Sequence, residues 1–180
     1  MRWLTFSLLV IIVLTFQSAV GPRLALLGSR PDWLLVVVVF LALYAPAQDA
    51  VLGAGLIGLG GDLLSIERLG LLVLSYVLAA MVIVGVREHV FKSAHTTRFI
   101  LTLVVGLALR LGWTAYYRAL YDSSVSVGLE LLNQVVVGAV YTACWAIPLH
   151  FLLVRCSQLF GFARPRYSYA GVYRGEGGRV

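Results

Sequence analysis

A few polar side chains interrupt an otherwise oily chain, and they carry whatever chemistry it performs. Asp62 closes the glycine-rich run Gly53 to Gly61, with Ser65 three residues on. Arg110 breaks one apolar stretch, and Glu130 opens another, with Asn133 and Gln134 one turn further. Gln17 and Asp32 stand at the end of a first apolar run and the start of a second. Carboxylates and a guanidinium at membrane depth are costly, so each is a functional hypothesis: an ion pair or a grip on a partner. An intramembrane enzyme is the third reading and the least favoured. No Ser/His, paired-Asp or His/Glu set falls at a catalytic spacing, and Asp62 has only Ser65 beside it, so no catalytic residue is assigned. His89 and His95 lack a third ligand, which leaves no metal site. The glycine run lacks the lysine that follows a phosphate loop, and no cofactor is expected. Cys144 and Cys156 lie about 18 Å apart along one helix, too far to bridge.

The spacing of these residues defines the elements that hold them. Ala50, Ala54, Gly58 and Asp62 recur every fourth residue, with Gly61 beside them. In water each interior glycine would cost a helix about 1 kcal/mol relative to alanine. In lipid the same stripe gives a flat face on which a neighbouring helix can lie close. This segment is therefore expected to be the central helix of a bundle, with Asp62 and Ser65 turned inward. Glu130, Asn133, Gln134, Tyr141 and Trp145 share one helical face, and Thr102, Gly106, Arg110, Thr114 and Tyr117 share another. Arg110 is expected to pair with Glu130 or Asp62. Two readings stay open: a polar pocket facing outward that locks the bundle or receives a partner's helix or loop, and a buried ion pair that only fixes helix register.

Composition sets the class. Hydrophobic residues make up 61% of the 180, charged residues only 12%, and the mean hydropathy is +0.93. No ordinary soluble domain has that balance; the chain is an integral membrane protein. The net charge of +6 comes from basic residues set singly in loops and the tail, a topology signal rather than a nucleic-acid surface. The fold class expected is all-α, a six-helix transmembrane bundle. Its single domain spans 1–156, with helices at about 3–20, 31–45, 49–65, 69–87, 98–117 and 129–154. The second is short for a crossing, and a re-entrant path is its alternative. A cytoplasmic, basic, disordered tail is expected over 157–180. Arg2, Arg87, Lys92, Arg98, Arg155 and the tail arginines outnumber Arg23, Arg30, Arg68 and Arg118, which places both termini in the cytoplasm.

Gln17-Ser18 with Pro22, then Pro31-Asp32 with Leu34, then Gly58 through Ser65 closing at Leu69-Gly70, resemble in order and spacing the MreD family. This is the small membrane subunit of the bacterial rod-shape machinery. The chain departs from the family at Ile66-Glu67-Arg68, where a Gly and a Pro are usual. The resemblance implies a non-enzymatic scaffold in the bacterial inner membrane. Its implied partners are the single-span protein MreC and, directly or through it, the MreB filament, the RodA glycosyltransferase and a penicillin-binding transpeptidase, with membrane lipids around it and no nucleic acid. It also implies a fold similar to the substrate-binding subunits of vitamin importers, which keeps a small-molecule-binding importer subunit as the alternative function.

Overall fold

The computed structural model describes residues 3–25, 29–65, 69–90, 96–121 and 129–156, with the backbone alone at 88–90, 96–98, 121 and 129–132. The expected tail at 157–180 and the side chain of Glu130 lie outside the described residues. All regular structure there is helical: α1 (Trp3–Val20), α2 (Trp33–Tyr44), α3 (Ala47–Leu64), α4 (Leu71–Val90), α5 (Thr96–Tyr121) and α6 (Leu129–Cys156). Among the described residues α1 and the bulk of α5 and α6 are long and apolar enough to cross a membrane, by length and composition.

The centre of the bundle is α2, not the glycine-rich α3. Every residue from Trp33 to Leu43 is buried, and α2 touches each of the other five helices. The cause is its sequence: WLLVVVVFLALY has no polar face, and a helix apolar all round is stable only when surrounded. The α3 stripe of small residues instead makes it one arm of a tight hairpin with α4, while α5 and α6 form a second hairpin. Between these hairpins lies α2, with α1 against α2 and α3 on the periphery. Leu52, Leu56, Leu59 and Leu63 on α3, and Leu4, Leu8, Ile11 and Ile12 on α1, are exposed, as residues turned toward lipid would be.

At 12 residues α2 is only about 18 Å long, against a hydrocarbon core of about 30 Å. Its ends are therefore finished by side chains from other helices. At its C-terminus Nη1 of Arg87 donates to the carbonyls of Ala45 at 2.7 Å and Ala42 at 3.3 Å, which satisfies acceptors the last helical turn leaves open. Near its N-terminus Ser29 is buried in the bundle, and the space beside it forms the site.

Candidate functional site

The Asp62 carboxylate ends α3 and begins α4. Its oxygens accept the backbone N–H groups of Gly70 at 2.8 Å, Leu72 at 3.1 Å and Val73 at 3.2 Å. These are donors that the first turn of α4 cannot satisfy internally, and an anion there also complements the helix dipole. Gly70 adopts φ of 99°, a left-handed turn that brings its N–H to the carboxylate. Ser65 caps α3 from the same turn, its Oγ donating to the Asp62 carbonyl at 3.0 Å. Further along the hairpin, a Cβ on Gly58 would stand 2.6 Å from the Cα of Val73 and 2.8 Å from its nitrogen. Backbone meets backbone there, which only glycine permits. Gly61 faces Leu72 and Leu34, and Ala54 is wholly buried. Asp62, Ser65, Gly58 and Gly61 thus meet around one contact internal to the chain, with Ala54 buried further along the same helix.

A second group assembles over the N-terminus of α2. Gln17 bridges α1 to it in both directions: Nε2 donates to the Pro31 carbonyl at 3.1 Å, and Oε1 accepts the Trp33 N–H at 3.0 Å. Between those residues Asp32 caps α2, accepting from the Leu35 N–H at 3.0 Å, and takes the Tyr76 hydroxyl of α4 on both oxygens, at 3.0 and 2.9 Å. The Asp32 N–H donates to Thr142 Oγ1 of α6. Ser29 donates to the Gln134 carbonyl at 2.8 Å, and Tyr141 to the Leu24 carbonyl at 3.0 Å. Leu24, Ser29 and Asp32 are thereby tied to α4 and α6.

Arg110 completes this group from α5. Its Nη2 donates to the Arg30 carbonyl at 2.9 Å, and its guanidinium lies against Gly138 of α6, where any Cβ would collide with it. The expected partner Asp62 is not reached, because that carboxylate is held by the α4 backbone. Asp32, Arg110, Tyr76, Trp113, Thr114 and Gln134 line one cavity of about 580 Å³, together with Ser29, Leu35, Leu72, Gly106, Leu109, Tyr117 and Val135. Of the residues singled out in the sequence, Asp32, Arg110 and Gln134 share this cavity. Gln17 sits behind Asp32, Asn133 is exposed on α6, and Asp62 with its neighbours belongs to the hairpin.

Tyr76, Trp113, Thr142 and Gly138 were not foreseen as a group. For Tyr76 the sequence held a signal: it leads the buried stripe Tyr76, Ala79, Ala80, Ile83 and is its one polar member. For Gly138 there was none, since its role depends on where Arg110 arrives from another helix.

An all-helical bundle whose outer faces are oily and whose Asp62, Gln17 and Arg87 side chains are matched to its own backbone defines a membrane protein. The model of the rod shape-determining protein MreD family matches residues 1–160, and the chain belongs to that family. Its role lies in rod-shape determination, in association with the rod-shape complex. No curated protein and no solved structure matches the chain.

Proposed function

We propose that the chain is a non-enzymatic scaffold that docks a single-span MreC-like protein in the bacterial inner membrane. Through it the scaffold supports MreB, RodA and its penicillin-binding transpeptidase in regulating peptidoglycan synthesis. The observation that carries this reading is the use made of Asp62: its carboxylate accepts three backbone N–H groups of α4. An acid so engaged builds a rigid hairpin and is not presented to a substrate. The same holds for Gln17 on either side of Asp32. In this reading the chain crosses repeatedly with both termini in the cytoplasm, Ala54, Gly58, Gly61, Asp62 and Ser65 fix the hairpin, and Asp32, Arg110, Glu130, Asn133 and Gln134 sit toward the outer rim. The test is Asp62→Asn in cells depleted of the wild-type chain. Cells that stay rod-shaped at normal protein levels support a scaffold; loss of shape with folded protein at normal levels contradicts it.

One observation favours the alternative, a small-molecule-binding subunit of a vitamin-type importer: the cavity beside Arg110 is of the size small ligands occupy. A copurifying ATP-binding-cassette subunit would decide for it.

A further inference from the structure

The cavity over α2 holds an unusual imbalance of donors and acceptors. Three of its hydroxyls already donate within the protein: Tyr76 to Asp32, Ser29 to the Gln134 carbonyl and Thr114 to the Arg110 carbonyl. Asp32 is likewise engaged, by the Leu35 N–H and Tyr76. Arg110 is different. A guanidinium carries five N–H donors in a planar fork, and among the described residues one hydrogen bond, to the Arg30 carbonyl, holds it. Asp32 and Arg110 line the same cavity without a direct ion pair among the described residues. Beside the neutral side chain of Gln134, the charged capacity left unfilled is therefore that of a cation, in a setting where an incompletely paired guanidinium favours an oxyanion that takes two of its donors at once.

The walls say what such an oxyanion is attached to. Its apolar lining comes from Leu72 of α4, Leu109 and Trp113 of α5, and Leu35 of α2. Of the helix pairs that touch, α4 and α5 meet most sparsely, so the cavity's two sides are not sealed against each other. Arg30, whose carbonyl holds Arg110, has an exposed side chain next to the site, and a second cation at the mouth draws anions toward it.

We infer that this cavity is a headgroup site for an anionic amphiphile, whose phosphate or carboxylate is bound by Arg110 while its apolar body leaves between α4 and α5. Two sources supply that chemistry: a phospholipid of the surrounding bilayer and a free single-chain anion. Gly138 belongs to the site as well, since its missing side chain lets the guanidinium lie flat against α6. The inference is independent of which protein the bundle docks.

The test uses the full chain in nanodiscs of phosphatidylcholine containing a minor share of phosphatidylglycerol, with lipids retained after gentle release counted by native mass spectrometry. The lipid source predicts selective retention of phosphatidylglycerol, reduced about tenfold or more by Arg110→Gln and reduced less by Arg110→Lys, which keeps the charge but loses the fork. A parallel titration of octyl phosphate into phosphatidylcholine-only nanodiscs reads the free-anion source: saturable, Arg110-dependent binding without phosphatidylglycerol retention assigns the site to it. Equal retention of the two phospholipids with no octyl phosphate binding overturns the inference, as does binding of either anion that Arg110→Gln leaves unchanged. Should Arg110→Gln fail to fold, fluorescence quenching of the wild-type chain by acyl-brominated lipids decides, with Trp113→Phe to isolate the Trp113 signal. Stronger quenching by the phosphatidylglycerol form, or quenching relieved by octyl phosphate, supports the site. Equal quenching by both lipids, unmoved by octyl phosphate, overturns it.

Discussion

The Asp62 carboxylate accepts the backbone N–H of Gly70 at 2.8 Å, across a turn in which Gly70 takes a φ of 99°. That bond, with those from Leu72 and Val73, joins the end of α3 to the start of α4. Asp62→Ala leaves all three donors without their acceptor in a residue environment only 1% exposed. The expected loss is about 2 kcal/mol or more. Asp62→Asn keeps one acceptor oxygen and should lose about half as much. Thermal aggregation of the detergent-solubilised protein, followed by size-exclusion chromatography, ranks the two; equal midpoints would refute the backbone-lock account.

Gly58 and Gly112 make a matched pair of substitutions. At Gly58 an added Cβ meets the backbone of Val73, which cannot move without separating α3 from α4, whereas at Gly112 it meets open space. Gly58→Ala should destabilise by about 1–3 kcal/mol, and Gly112→Ala should be neutral or slightly stabilising. The same thermal assay checks both, and the sign of the difference is what matters.

Gln17→Leu removes a donor to Pro31 and an acceptor for Trp33 at once. A loss of about 2 kcal/mol is expected. Gln17→Glu, which retains the acceptor and loses the donor, should fall between. Faster hydrogen exchange at the Trp33 amide in Gln17→Leu, with α3 and α4 unaffected, would locate the effect at the start of α2.

The hairpin was largely legible in the sequence, because small residues every fourth position describe a close helix contact whatever the partner. What spacing did not reveal is that the partner of Asp62 is backbone. A four-residue period says which way a side chain points and nothing about which orphaned N–H groups the following turn brings to it. The place of α2 could have been read from WLLVVVVFLALY, whose lack of a polar face requires burial all round. Its shortness drew attention to membrane crossing instead, and the glycines drew the centre to α3. The cavity was half visible: Asp32, Arg110 and Gln134 stand out as polar residues in apolar runs. The placement of Ser29 and of the Arg30 carbonyl, which fixes the partner of Arg110, follows no period and was hidden.

Arg110 and Gly138 should be energetically coupled. Gly138→Ala places a methyl group where the guanidinium lies, so its cost depends on the arginine being present. In an Arg110→Ala background the penalty of Gly138→Ala should shrink, giving a coupling of about 1 kcal/mol in a double-mutant cycle. Strict additivity would mean that the two do not touch.

Affinity purification of the full chain from its native membrane in mild detergent, with mass spectrometry of everything that accompanies it, tests the scaffold account most directly. The account predicts a single-span MreC-like protein in stoichiometric amount and no ATP-binding-cassette subunit. Recovery of such a subunit with a bound metabolite, and without an MreC-like protein, would contradict it.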